Sequence, residues 1–504
     1  MKVSKRLWYY IVVIGFPLFF VLHGVNEQFG LIRAQIIARL LLIYFSVAII
    51  VAITAKLIMK SYERATLLTF FILCAYFFFG AVKDLLKNSF FDSVGSYKYF
   101  LTGTIILILL VVFLVKKIKS PLTRANRFIR LLIVLCIGLE AGLLFYNVLT
   151  KKYLQKDPGD IHHELIKNIN VPDTVQKPTI VWIVMDEYSG NTGLLKKWNF
   201  VNPFGATLRK KGFFVADTAW SPYNYTHYSL VSTLDMSYLR GLENHSVIGY
   251  RDIVRGNRSL EETNVVKLLE SAGYDIYNYT IYNIKNHPTA AHEYFVNADF
   301  KLVDNQTLPG RIKQDIGWNF RNFFSRNRKA ADSADLAKSI LAEAKYRRDL
   351  VDESAGVVAL AAQKGKPAFL MFHYMITHEP FIYRPDGSLD LSSGFGMYPD
   401  RYVPSIERAN EALSGLIDSI QAAYKGKNLV IILQGDHGYK FDESDPLFEQ
   451  EGCSIFYAVY CSDLQYPDWK NPFNAANGFR VLFNKYFQTN LPVLENRSFN
   501  LFYR

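Results

Sequence analysis

Five apolar runs crowd into the first 150 residues: Trp8–Val25, Ile36–Ala55, Leu67–Val82, Phe100–Val115 and Leu131–Leu149. A hydrocarbon core of roughly 30 Å takes about 20 helical residues, so each run reaches across, the shorter ones with help from their flanks. A single run of this kind can be a buried core helix. Five in succession, separated by short charged loops, predict a membrane bundle over residues 1–150. The first run follows a basic start like that of a secretory signal. Four more follow it, and it is read as an uncleaved first helix.

The net charge of +12 raises the question of nucleic acid. Its placement answers no. Lys2, Lys5, Arg6, Lys56, Lys60, Arg64, Lys116, Lys117, Lys119, Arg124, Arg127 and Arg130 all flank the apolar runs, offset there by Glu63 alone. The rest of the chain is close to neutral and carries no basic stripe of the kind a nucleic-acid groove needs. These charges fall in the N-terminus and in the loops after the second and fourth runs. The alternate loops are poorer, with Arg33, Lys87 and Lys98 their clearest cations. The positive-inside rule therefore sets the N-terminus in the cytoplasm, and an odd number of spans puts everything after Leu149 outside. Lys151, Lys152 and Lys156 oppose this mildly. Glu140 sits within the fifth run, where an ionisable group is either functional or paired with a neighbouring helix. Four cysteines are too few for a disulfide framework. Cys453 and Cys461 bracket a strand-like segment that would hold them too far apart to bond.

Residues 151–176 read as a juxtamembrane linker and 177–504 as a folded domain outside the membrane. That domain begins with Pro178-Thr-Ile-Val-Trp-Ile-Val-Met-Asp186-Glu187, a continuous apolar run ending in acids. Such a run is expected of a buried parallel strand that delivers ligands at its C-terminal edge. Further strands are predicted at Ala368–Tyr374 and Leu429–Leu433. Amphipathic helical segments lie at Ser259–Ala272, Ala331–Gln363 and Val403–Tyr424. Strands alternating with helices predict an α/β domain with a mainly parallel central sheet flanked by helices.

Three segments carry chemistry. In Asn428-Leu-Val-Ile-Ile-Leu-Gln-Gly-Asp436-His437-Gly438, a buried strand runs into a carboxylate and an imidazole that can reach one divalent metal, with a glycine for the turn that follows. In Ser221-Pro-Tyr-Asn-Tyr-Thr226-His-Tyr-Ser229, a turn-rich stretch meets a helical pattern. A hydroxyl there is either an ordinary helix cap or a nucleophile in positive potential beside free N–H groups. In Phe369-Leu-Met-Phe-His373-Tyr-Met-Ile-Thr-His378-Glu-Pro380, His378 can bind a phosphate or act as acid or base. His373, nearer the strand, reads equally as structural.

Taken together and in this order, these segments resemble the sulfatase-like members of the alkaline phosphatase superfamily over about Pro178 to Leu494. Five spans followed by this domain resemble lipoteichoic acid synthases and phosphoethanolamine transferases. The resemblance implies that Asp186, Thr226, Asp436 and His437 share one metal ion, zinc or manganese before calcium, with Thr226 as nucleophile and His378 on the substrate side. It implies a transferase moving a phosphoethanolamine- or phosphoglycerol-type group from a membrane lipid to a glycan or lipid acceptor. It also implies a multi-pass inner-membrane location with a periplasmic catalytic domain. The stretch Asn471–Leu494, with Phe479-Arg-Val-Leu-Phe-Asn-Lys-Tyr-Phe, is similar to the family's terminal helix. Some features depart from the pattern. Sulfate-ester hydrolases carry Cys-x-Pro-x-Arg or Ser-x-Pro-x-Arg, whose first residue becomes formylglycine, where this chain has Thr226-His-Tyr-Ser-Leu. Glu187 replaces the second acid of an Asp-Asp pair. No histidine follows His437. The alternatives are a sulfatase-like hydrolase or phosphodiesterase, or a non-catalytic sensor domain.

Overall fold

The computed structural model describes residues 5–87, 96–150, 171–172, 175–295, 298–315, 329–391 and 399–504. Most of the predicted linker 151–176 lies outside these residues, Lys151, Lys152 and Lys156 included. The chain divides into two compact units. The first takes residues 1–157 together with 297–327. The second takes 158–296 and 328–504.

The first unit is helical. Its elements are α1 (Lys5–Glu27), α2 (Ala34–Met59), α3 (Tyr62–Phe77), α4 (Phe79–Lys87), α5 (Tyr97–Lys117) and α6 (Thr123–Leu149). Four of these, α1, α2, α5 and α6, are long and apolar enough to cross a membrane. The expected third span is broken: α3 and α4 meet at a 58° bend, and only as a bent pair do they make a fifth. On α2 the buried residues Ile36, Leu40, Tyr44, Ala48, Ala52, Ala55 and Met59 recur every three or four positions and form one stripe. Phe16, Phe20, Tyr44 and Phe77 pack their rings at the centre. Glu140 of α6 is paired with α1: His23 Nδ1 lies 2.8 Å from Oε1, and Asn26 Nδ2 donates to Oε2 at 2.7 Å and to the Glu140 carbonyl at 2.8 Å. Of the two readings of this acid, the one the geometry displays is helix pairing.

Residues 297–327, expected within the catalytic part, belong to the helical unit. A short helix, Ala298–Asp304, and a second helical stretch over 308–315 supply the contacts. Arg33 grips Asp299 with two side-chain N–H groups, at 2.9 and 3.1 Å, and its backbone N–H adds a third bond at 3.2 Å. Tyr44 donates to Asp304 at 2.9 Å. Lys83 and Tyr97 both hold Asp315, at 3.0 and 2.9 Å. Val303 is buried against the helix core, facing Gly24. Hydrophobic patterning could not announce this placement, because the segment is short and its anchors are ion pairs.

Gly80 marks how close the fit is. Its N–H donates to the Gln306 carbonyl at 2.8 Å, and a Cβ added there would lie 2.8 Å from the Asn305 carbonyl oxygen. Gly80→Ala is therefore expected to lower stability by about 1–3 kcal/mol, the usual cost of forced overpacking. Gly103→Ala, whose Cβ would meet nothing within 4 Å, should leave it unchanged. Thermal unfolding of the two detergent-solubilised variants checks this.

The second unit is built on a six-stranded sheet: β1 (Thr179–Met185), β2 (Phe214–Val215), β3 (Asp275–Tyr279), β4 (Ala368–Tyr374), β5 (Leu429–Gly435) and β6 (Tyr457–Cys461). The spatial order is β2-β6-β5-β1-β4-β3. The four strands β5, β1, β4 and β3 run parallel, and β6 pairs antiparallel with β5 and with β2. β1, β4 and β5 are buried at every residue, as unbroken apolar runs should be when both faces are covered. Successive side chains alternate between two cores. Ile180, Trp182 and Val184 face one side with α7 (Thr226–Asp235) and the terminal helix Gly478–Phe487. Val181, Ile183 and Met185 face the other, with the helices Lys329–Lys364 and Tyr402–Ala423. The architecture is three-layered, helices on both faces of a mainly parallel sheet, as the strand and helix pattern predicted. Cys453 and Cys461 are free and buried.

Candidate metal centre

Three adjacent central strands end at one place. β1 stops at Met185 and delivers Asp186, β5 stops at Gly435 and delivers Asp436, and β4 carries His373 one residue before its end. In the β1–β4 register His373 stands opposite Val184, so its ring reaches the first residue beyond β1. This is the carboxyl-end crevice where open α/β sheets place ligands.

α7 brings the hydroxyl. Its first residue is Thr226, preceded by Tyr225 in an extended conformation. Two anchors set the helix start. Asn224 exchanges hydrogen bonds with the backbone of Leu501, at 3.1 and 2.8 Å. One turn into the helix, the Ser229 hydroxyl donates to the Asp436 carbonyl. Thr226 Oγ1 thereby stands 3.3 Å from His437 Nε2.

The ring nitrogens are assigned by their partners. His437 Nδ1 faces the Gly438 carbonyl at 2.7 Å, and His378 Nδ1 faces the Glu379 carbonyl at 2.8 Å. A carbonyl only accepts, so both Nδ1 atoms donate and both Nε2 atoms point into the site. His437 Nε2 is 3.5 Å from Asp436 Oδ2 and 3.8 Å from Asp186 Oδ1, and His378 Nε2 is 3.9 Å from the same Asp186 Oδ1. The structure thus brings Asp186, Thr226, His378, Asp436 and His437 to one place.

The two carboxylates are buried, and each keeps one oxygen without a hydrogen-bond partner: Oδ1 of Asp186 and Oδ2 of Asp436. Their other oxygens are occupied. Asp186 Oδ2 faces His373 Nε2 at 3.0 Å, and Asp436 Oδ1 accepts the backbone N–H of Glu187 and of His437, both at 2.8 Å. Burial pushes the Asp186 carboxyl up, but His378, His373 and His437 together outweigh it and hold it below the usual carboxylate range. Burial, and then the neighbouring Asp186 charge, push Asp436 above that range. Burial works against the charged forms of His378 and His437, yet the surrounding acids raise both. Two buried acids, each with a bare oxygen facing imidazole nitrogens, make a donor set for a cation. Oxygen and imidazole donors of this kind can hold a divalent metal ion. Asp186, His373 and Asp436 also each offer a ligand atom within 4.8 Å of one another. Sequence reading left His373 undecided, and the signal that places it is strand register, which a motif does not display.

Glu187 plays a different part from Asp186. It adopts the left-handed conformation, φ 61°, which turns its N–H onto Asp436. Its Oε1 accepts the Lys440 backbone N–H at 2.5 Å. Burial pushes its carboxyl up to about 7, against the nearby histidines. Glu187 therefore braces the backbone after His437. Gly438 was expected to serve a sharp turn. Its φ is not in the left-handed region; a Cβ there would lie 2.2 Å from the Glu451 carbonyl, so the requirement is close backbone approach. His227, next to Thr226, is buried against Phe295, and burial pushes it down to about 4. A cavity of about 460 Å³ opens beside Tyr225 and Tyr439, walled by Phe441, Glu443 and Tyr503.

The sulfatase family model matches residues 178–486. No curated protein sequence matches the chain. Among solved structures, the chain is similar to the C-terminal periplasmic domain of EcEptC from Escherichia coli, at 14% identity over 64% of this chain and 85% of that one, with a TM-score of 0.38. It is also similar to the integral membrane lipooligosaccharide phosphoethanolamine transferase A from Neisseria meningitidis, at 12% identity over 94% of both chains, with a TM-score of 0.37. A third is a protein of the alkaline phosphatase superfamily from Vibrio parahaemolyticus, at 10% identity over 65% of this chain and 72% of that one, with a TM-score of 0.36. The family match covers more than half of the sequence and spans every residue of the centre: the chain belongs to the sulfatase family.

Proposed function

We propose that the protein transfers a phospho-linked head group from a membrane lipid to a glycan or lipid acceptor, using Thr226 as nucleophile. The observation that carries this reading is Thr226 Oγ1 at the start of α7, 3.3 Å from His437 Nε2, which itself lies 3.5 and 3.8 Å from the two bare carboxylate oxygens. Asp186, Thr226, Asp436 and His437 would hold one divalent ion, zinc or manganese. When bound, it would lower the pKa of the threonine hydroxyl and offset charge on phosphoryl oxygens.

The chain's own groups account for the rest. The Thr226 hydroxyl loses its proton to solvent and its oxygen attacks phosphorus; the bond from phosphorus to the diacylglycerol oxygen breaks, and the threonine recovers a proton from solvent when it is later freed. The first turn of α7 supplies backbone N–H groups for the phosphoryl oxygens. The head group rests on Thr226 as a phosphodiester, dividing one hard displacement into two easier ones. An acceptor hydroxyl then attacks phosphorus and frees the threonine. His378, with Nε2 facing the site and a third of its side chain exposed, can give a proton to the first leaving oxygen and take one from the acceptor hydroxyl.

Position 226 also argues against sulfate-ester hydrolysis, because threonine cannot supply the formylglycine that this chemistry uses. Mass spectrometry of the full-length protein after incubation with total membrane lipids tests the proposal: Thr226 should gain the mass of a phosphorylated head group. The proposal places residues 177–504 outside the cytoplasm and the N-terminus inside. A reporter active only outside, fused after Lys156, should be active, and one fused near Ser120 silent. The reverse pattern would overturn the assignment.

A further inference from the structure

We propose that His373 is a positioning residue for the metal site: it turns the Asp186 carboxylate so that a single oxygen, Oδ1, is presented to the ion. This rests on the reading above that Asp186 is a metal ligand. The argument begins with the ring's constraint. His373 lies within β4 and is fully buried, as is Asp186. Its Nε2 is 3.0 Å from Asp186 Oδ2. A carboxylate that ligates a metal is ionised and only accepts, so His373 Nε2 donates.

That bond occupies Oδ2 on the inner side. Oδ1 is left without a hydrogen bond and faces the inward-pointing nitrogens of His437 and His378, at 3.8 and 3.9 Å. The backbone is held as firmly as the side chain. The Asp186 N–H donates to the Tyr374 carbonyl at 2.9 Å, and the Thr377 hydroxyl donates to the Asp186 carbonyl. Segment 373–377 therefore grips Asp186 at both ends of the residue, and among the described residues His373 alone hydrogen-bonds its carboxylate. Without it the carboxylate can swing Oδ1 out of line or offer both oxygens. Loss of a hydrogen bond that orients a ligand typically lowers metal affinity about 10–100-fold.

A competing role is direct ligation, since His373, Asp186 and Asp436 each offer an atom within 4.8 Å of one another. Two amide substitutions separate the roles. Glutamine places its Nε2 donor where the imidazole Nε2 stands, but is a poor transition-metal ligand. Asparagine is too short to reach Oδ2. The experiment is calorimetric titration of chelator-treated, full-length protein in detergent with Zn²⁺ and with Mn²⁺, alongside its metal-free melting temperature. His373→Gln should bind within about threefold of the unaltered protein, and His373→Asn about 10–100-fold more weakly, with similar melting temperatures. Equal loss in both variants would make His373 a ligand and overturn the proposal. Undiminished affinity in His373→Asn would overturn it as well. If the unaltered protein bound no metal, the metal-site reading itself would fail, independently of His373.

Discussion

Thr226→Ala is expected to abolish both halves of the reaction. With labelled phospholipids and candidate glycan acceptors, the unaltered protein should release diacylglycerol and carry label on Thr226. The alanine variant should show neither, with turnover at least about 10³-fold lower, as when an essential nucleophile is removed. The fold should survive. Thr226 is only half-buried and, among the described residues, its side chain hydrogen-bonds His437 alone, while Asn224 and Ser229 fix the helix start. Thr226→Ser keeps the hydroxyl and loses one methyl group, so it should retain label and part of the turnover. Rapid turnover of aryl sulfates with no label on Thr226 would refute the transferase reading.

Asp436→Asn should separate metal binding from stability. In the metal-free protein, Asp436 is buried next to a second acid and its carboxyl is pushed up, so its negative charge is unfavourable there. Asparagine keeps an oxygen for the Glu187 and His437 N–H groups and replaces the unpartnered Oδ2 with a neutral amide. The metal-free variant should therefore melt no lower than the metal-free parent. Its bound metal should fall below about a tenth, because an anionic ligand is gone, and activity should go with it. His437→Ala should lose metal and activity in the same way. Full metal occupancy in both variants, measured by elemental analysis of purified protein, would rule these residues out as ligands.

The catalytic strands were legible because a strand buried on both faces is written as an unbroken apolar run. Ala368–Tyr374 appears in the structure with the predicted limits, and the β5 run extends two residues past Leu433 to Gly435. Residues directly after such runs, Asp186 and Asp436, are visible for the same reason. Convergence is another matter. Thr226 reaches His437 across more than 200 residues through a helix start held by the C-terminal segment, and nothing in its own neighbourhood discloses that partner. His373 is identical in composition terms to a core histidine until the β1–β4 register puts it beneath Asp186. The bend at Phe78 was hidden because apolar content alone cannot distinguish a straight span from two angled pieces.

The discontinuous helical unit has a consequence for biosynthesis. Residues 1–157 leave the ribosome before 297–327 exist, yet Arg33 must find Asp299, 266 positions later in the chain. At about 5–20 residues per second, the intervening stretch of roughly 140 residues takes about 7–28 s to make. During that interval the seats of Val303, Asp299 and Asp304 stand empty. Helix insertion therefore precedes bundle completion by many seconds. Any ribosomal pause between codons 158 and 296 lengthens the exposure of an unfinished bundle to membrane proteases. Synonymous codon changes in that stretch should then alter the yield of intact protein without altering a single residue.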